Sequence, residues 1–263
     1  MLRFTTCQSE IVEPFCEALT TFIGQKLGLN TEFICDIPWE EREQLLDSGE
    51  IDVAWICGLP YVRKRNVGAA HIELLAAPVM THPRYAERPV YYSDIVVRAD
   101  SHFYSFDDLR GATWAYNERG SHSGYNLIRY HLATRGMAGS YFSRVVESGS
   151  HQDSVQMILE GYIDASAIDS TVLELTFMRN PAIACEVRTI AELGPSPAPP
   201  WVINRSIPAD LRDALRREFM AMHEDLEGRA ILKVAGMLRF AGISDDDYDP
   251  IRVMDRVAAA VEW

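Results

Sequence analysis

The sequence predicts an α/β fold in two lobes. Two observations carry this. Strand-like and helix-like runs alternate from the start of the chain, and the same scheme begins afresh near its middle. A third supports it: the run Ile51–Cys57 is apolar at nearly every position, the pattern of a strand buried on both faces of a helix-covered parallel sheet.

The elements follow in order. Leu2–Thr6 reads as a strand. Glu10–Leu27 carries apolar residues at Ile11, Phe15, Leu19, Phe22, Ile23 and Leu27, spaced by three and four as on one helix face. Thr31–Cys35 reads as a strand, Trp39–Asp47 as a short helix and Ile51–Cys57 as a strand. In the middle, Val90–Arg98 is a strand, Ser105–Leu109 a turn or short helix, Ala112–Tyr116 a strand and Ser123–Arg135 a helix. Phe142–Val146, Asp153–Glu160 and Ile163–Ile168 follow as strand, helix and strand, and Glu186–Ile190 as one more strand. After the proline-rich break Gly194–Pro200, Trp201–Asn204 is a short strand, and Pro208–His223 is a helix with proline at its start. The remainder reads as helical. Asp245-Asp246-Asp247 reads as a solvated acidic loop, and Arg63-Lys64-Arg65 as a solvated helix face or turn.

The expected lobes are residues 1–92 with 190–263, and an inserted lobe at 93–189. Two crossings would join them, near Val90–Val97 and Val187–Leu193. A cleft between such lobes is a common ligand site.

Bulk properties narrow the function. The 263 residues are 48% hydrophobic and 24% charged, ordinary for a globular chain. A net charge of −13 argues against nucleic acid or an anionic membrane as partner. No apolar run approaches the roughly 20 residues of a membrane span. The start MLRFTTCQSE has no apolar leader core, so a trimmed leader and a cytoplasmic chain are both open. The five cysteines lack CxxC spacing, which favours free thiols and leans cytoplasmic.

Three segments carry chemistry. Ser121-His122-Ser123-Gly124 opens a helix, His151 opens another within SGSHQDS, and IDASAIDS ends a strand at Asp169. A helix N-terminus offers N–H groups and partial positive charge, so it suits an anion. All three segments are expected at the C-terminal ends of strands, where open α/β sheets bind ligands. The first lobe offers Gln8, Trp39 and Tyr61, and the crossing strand offers Tyr91 and Tyr92. The plain alternatives are also on the page. Ser121, Ser123, His151 and Asp169 can serve as helix caps alone, His122 as a turn residue, and one of the two adjacent tyrosines as core. No nucleophile elbow, metal-ligand spacing, phosphate loop or dinucleotide fingerprint is present, so neither catalytic residues nor a metal or cofactor is expected.

The segments SGEIDVAWICGLPYV, YYSDIVVRADS, DDLRGATWAYNERGSHSGY and ESGSHQDSVQMILEGYIDASAIDS, in that order, resemble the phosphate/phosphite/phosphonate family of periplasmic solute-binding proteins. That resemblance spans nearly the whole chain. It implies a two-lobed type II periplasmic-binding-protein fold, a small anionic solute and an ABC permease as partner. It also implies ligand contacts at Ser121, the position held by His122, Ser123, His151, Asp169 and Tyr91. Three positions depart from the family pattern. His122 stands for a threonine, Ile56 for a tyrosine that phosphonate binders can carry, and Ala198 or a neighbour for an acidic residue. Another oxyanion, a carboxylate or a heteroaromatic ligand therefore stays open. So does a cytoplasmic enzyme or ligand sensor of the same fold, of the thiamine-pyrimidine or menaquinone-pathway type.

Overall fold

The computed structural model describes residues 1–67, 71–137 and 141–262. They form two compact units. Unit 1 comprises Met1–Val90 and Pro197–Tyr248, and unit 2 comprises Tyr91–Ser196 and the C-terminal segment from Asp249.

Unit 1 begins with β1 (Leu2–Thr6), α1 (Glu13–Leu27), β2 (Thr31–Ile34), α2 (Trp39–Ser48), β3 (Val53–Trp55), α3 (Gly58–Asn66) and β4 (Ile72–Met80). Unit 2 carries β5 (Val90–Arg98), β6 (Thr113–Tyr116), α4 (Leu127–Thr134), β7 (Arg144–Glu147), α5 (His151–Leu159), β8 (Ala165–Asp169), α6 (Ser170–Arg179), α7 (Ile183–Glu186) and β9 (Val187–Pro197). The chain then adds β10 (Trp201–Asn204), α8 (Ala209–Ala221), α9 (Leu226–Val234) and β11 (Met237–Ala241) to unit 1, and α10 (Asp249–Ala258) to unit 2.

The sheet of unit 1 runs β11-β4-β10-β3-β1-β2. β1 lies parallel to β2 and β3, while β10 is antiparallel to β3 and β4, and β11 to β4. Trp55 and Trp201 are register partners and stack at 5.7 Å. Phe219 of α8 meets Trp201 edge-on at 5.3 Å, and Phe15 of α1 meets Trp55 at 6.1 Å. Such contacts bury large apolar area and fix ring orientation. At the end of α1, Gly28 takes φ +64°, and its N–H reaches the carbonyls of Gln25 and Gly24.

Unit 2 has the order β7-β6-β8-β5-β9. β6 is parallel to β7 and β8, and β5 is antiparallel to β8. Successive side chains of a strand face opposite ways, and here both faces are covered. Ile95, Val97, Trp114, Ala165 and Ala167 join one core cluster with Phe106, Leu132 and Phe142. Val96, Ala115 and Ile168 join the other with Val155 and Ile158.

Several expectations need correction. The sheets are mixed, because β10, β11 and β5 run against their neighbours. The C-terminal third is not all helix, since it holds β11. The pattern reading passes over β4, α3 and α6 and stops β9 at Ile190, seven residues before its end. The division into units also falls elsewhere. The chain passes between units after Val90, after Ser196 and after Tyr248, which makes three crossings and moves residues 249 onward into unit 2. The reason is packing: α10 lies against α4, Arg129 Nε donates to the Val261 carbonyl at 2.7 Å, and Val261 belongs to the core of unit 2. Asp245 is not simply solvated, because it accepts from the Tyr61 hydroxyl at 2.5 Å. Lys64, in the last turn of α3, bonds Asp47 and Glu43 at 2.7 and 3.0 Å.

Ile251 of α10 is fully buried. Ile251→Ala should cost about 2–4 kcal/mol in chemical denaturation, the usual size for removing a buried aliphatic side chain. It should speed amide exchange in α4 and leave α8 and α9 at wild-type rates, as the allegiance of α10 to unit 2 requires.

Candidate functional site

Three helical segments of unit 2 begin at one edge of its sheet. The strands before them, β6, β7 and β8, are parallel neighbours, so their C-terminal ends lie together. Each start is capped by a side chain. Ser121 Oγ accepts the Gly124 N–H at 3.0 Å, Ser150 Oγ accepts the Asp153 N–H at 2.9 Å, and Asp169 Oδ1 accepts the Thr171 N–H at 2.8 Å. These meet the orphan donors of a helix start.

The first start is a π-helical turn, His122–Asn126, which runs into α4. Its i→i+5 closure joins the Asn126 N–H to the Ser121 carbonyl at 3.1 Å. π turns recur at functional sites. Ser121, His122, Ser123 and Gly124 are all buried. A Cβ at Gly124 would stand 2.0 Å from Asn117 Oδ1, so any side chain there would force Asn117 to move.

The structure joins this turn to the second start. Ser123 Oγ lies 3.1 Å from His151 Nε2 and 3.4 Å from Ser121 Oγ. It also joins the turn to the third. Ser93 donates its hydroxyl to the Ser123 carbonyl at 2.8 Å, and Ser93 is the register partner of Asp169. Paired residues of an antiparallel ladder share a face, so Asp169 and Ser123 are both neighbours of Ser93. Asn117 Oδ1, Asn126 Oδ1 and His151 Nδ1 are buried without a hydrogen-bond partner, and all three belong to this turn or its immediate surroundings. Buried polar atoms left open in this way are rare enough to require a reason.

Burial sets the charge states. It lowers both His122 and His151 to about 4, with Asp255 acting weakly upward on His122. It raises Asp169 to about 6, against the opposing hydrogen bonds from Thr171 and Val172. The cause is desolvation, which disfavours the imidazolium. His122 accepts from the Asn126 amide at Nδ1 (3.2 Å), so a neutral ring carries its proton on Nε2 and gives it to Ser196 Oγ at 3.1 Å.

The remaining sequence candidates divide. Tyr91 is buried, edge-on to His122 at 6.5 Å. In unit 1, Gln8 follows β1 and Trp39 opens α2 after β2, both partly buried, and Gln8 Nε2 has no partner. Tyr61, only 1% exposed, packs against Tyr248 at 4.9 Å and gives its hydroxyl to Asp245 within unit 1. Ser93, Asn126 and Ser196 escape sequence reasoning. The one visible signal is the pair Ser93-Asp94 inside the otherwise apolar strand β5. Among the described residues, no group of three or more His, Cys, Asp or Glu is placed to hold a metal ion, and no helix is long and apolar enough to cross a membrane.

Two α/β units, one with polar helix starts gathered at a sheet edge, define a type II periplasmic-binding-protein fold. Solved structures agree. A binding protein component of an ABC phosphonate transporter from Pseudomonas aeruginosa matches with a TM-score of 0.85 at 19% identity, over 98% of this chain and 86% of that one. PhnD1 from Prochlorococcus marinus, in complex with methylphosphonate, matches with a TM-score of 0.86 at 16% identity, over 99% and 98%. The periplasmic aliphatic sulphonate binding protein SsuA from Escherichia coli matches with a TM-score of 0.62 at 14% identity, over 98% and 85%. The family of periplasmic substrate-binding proteins of ABC phosphonate transporters matches residues 5–248, and the chain belongs to it. Its function is that of a substrate-binding component of such a transporter.

The buried imidazoles make a stability test. The folded-state value of His151 lies below its unfolded value, so the unfolded chain binds the extra proton between about pH 6.5 and 4. Stability therefore falls as pH falls through that window. His151→Asn removes this term. Its destabilisation relative to wild type in urea should shrink by about 2–3 kcal/mol from pH 7 to pH 4.5. A constant difference would mean that the ring protonates freely in the folded chain.

Proposed function

We propose that the chain binds a small phosphonate at the 121–124 turn of unit 2 and presents it to an ABC permease. The observation that carries this is the linked set Ser121–Ser123–His151, three buried polar side chains at two helix starts with His151 Nδ1 left open. Ser121 and Ser123 supply hydroxyl donors, His151 supplies a neutral ring edge, and Gly124 lets the turn close.

Asp169 sets the protonation of the pair. A carboxylate repels a neighbouring anion unless a proton lies between them. With its carboxyl at about 6 and at a sheet position next to Ser93, Asp169 is suited to hold that proton, or to accept one from an acidic P–O–H. Recognition then rests on hydrogen bonds to a charged group rather than on ion pairs with histidine.

Calorimetry with methylphosphonate tests the site. Ser121→Ala with Ser123→Ala should weaken binding by about 2–5 kcal/mol, since each hydrogen bond to a charged group contributes roughly 1.5–3. Unchanged affinity in the folded double variant would move the ligand elsewhere. The second test is pH. Binding of an anion beside Asp169 takes up a proton, so affinity should rise as pH falls from 8.5 to 5.5, after correction for the ligand's own titration. In Asp169→Asn this slope should flatten. Methanesulfonate, which has no proton to lose in this range, should show only the protein's share of it.

A further inference from the structure

His122 stands where the chain enters and leaves unit 2. The chain enters at Tyr91 in β5, whose ring meets the imidazole edge-on at 6.5 Å. It leaves after Ser196 in β9, whose hydroxyl lies 3.1 Å from Nε2. It returns through α10, where Asp255 acts on the ring electrostatically. The fourth neighbour, Asn126, holds Nδ1 from the turn itself at 3.2 Å. The ring is fully buried.

The two strands also meet each other here. Gly194 has φ +130°, and a Cβ on it would stand 3.1 Å from Ser196 N and 3.3 Å from the Tyr91 carbonyl. The backbones of β5 and β9 are therefore in close approach beside the imidazole. A displacement of the 121–124 turn acts on Ser196 through one hydrogen bond and on Tyr91 through a ring contact. Both nitrogens of His122 are engaged within unit 2, which suits a strut rather than a ligand-facing donor.

We infer that His122 is a positioning residue that ties the hydroxyl turn to both strands leading into and out of unit 2, so that occupancy of the turn is felt in those strands. This rests on the reading of residues 121–124 as the ligand site. It adds that the link runs through the His122–Ser196 hydrogen bond, a contact that touches none of the proposed ligand groups.

The experiment needs no ligand for its first part. Amide exchange is followed by NMR in the whole chain. In Ser196→Ala, the Gly124 and Asn126 amides, which Ser121 holds, should exchange about tenfold faster, while the amides of α5 stay at wild-type rates. Ser196→Thr keeps the hydroxyl and should restore wild-type rates. Wild-type rates at Gly124 and Asn126 in Ser196→Ala overturn the inference. A slowing of exchange across the whole of unit 2 by the threonine variant, with no local recovery, overturns it too.

The second part adds methylphosphonate. In wild type it should slow exchange in the turn and in residues 191–196. In Ser196→Ala it should slow the turn alone, with affinity about fivefold lower. Equal protection of residues 191–196 in both proteins overturns the link. If methylphosphonate slows exchange at the turn in neither protein, the ligand assignment fails, and the ligand-free comparison still decides the positioning role.

Discussion

A helix that starts inside a protein must find acceptors for its first N–H groups, and unit 2 starts three at one sheet edge. Ser121, Ser150 and Asp169 meet that need with their own side chains. Each cap then decides where the next residues fall. Capping by Ser121 brings Ser123 Oγ to His151, capping by Ser150 places His151 in the first turn of α5, and capping by Asp169 leaves the Ser170 hydroxyl to accept the Tyr92 N–H at 3.0 Å. The capping and binding readings of these serines are therefore not rivals. The geometry that satisfies the helix is the geometry that gathers the polar groups.

This edge was legible in the sequence because it is local. A short apolar strand, a hydroxyl or acid, and a 3.6-residue period are all visible within a dozen residues, and they place β6, β7 and β8 with the turns that follow them. What was not legible depends on distance along the chain. Ser196 meets His122 from 74 positions away, and Ser93 meets Ser123 from 30. The allegiance of α10 rests on contacts with α4, more than a hundred positions earlier. Strand β4, IELLAAPVM, hides for another reason. Its two alanines and Pro78 dilute the β-branched signal, and only burial between β10 and β11 makes it a strand. Helix α3 hides behind Gly58 and Pro60, which read as a turn but sit in its first turn, where proline is tolerated.

Charge was the subtler matter. Histidine beside a suspected anion site invites an imidazolium, and sequence has no means of pricing burial. In the structure His122 is paired at both nitrogens with neutral groups, and His151 has Ser123 as its hydrogen-bond partner. Desolvation then prevails, and the rings stay neutral. The same burial raises the Asp169 carboxyl. One physical cause thus removes positive charge from the histidines and weakens the negative charge of the acid, and it leaves hydrogen bonding as the means by which these groups can hold an anion.

Unit 1 shows why the family departures at Ile56 and Ala198 can be tolerated. Both residues are buried. The Trp55 indole donates to the Pro199 carbonyl at 2.9 Å, the Ile56 N–H donates to the Pro200 carbonyl at 3.1 Å, and the Tyr248 hydroxyl donates to the Ala198 carbonyl at 2.8 Å. The segment PSPAPP is therefore a row of acceptors. Prolines 195, 197, 199 and 200 have no N–H to satisfy, so the segment can lie in the interior and offer carbonyls without leaving donors unpaired. With apolar side chains at both positions, the carbonyls of this row meet the Trp55 indole, the Ile56 N–H and the Tyr248 hydroxyl, and residues 56 and 198 add no polar group of their own to the interior of unit 1.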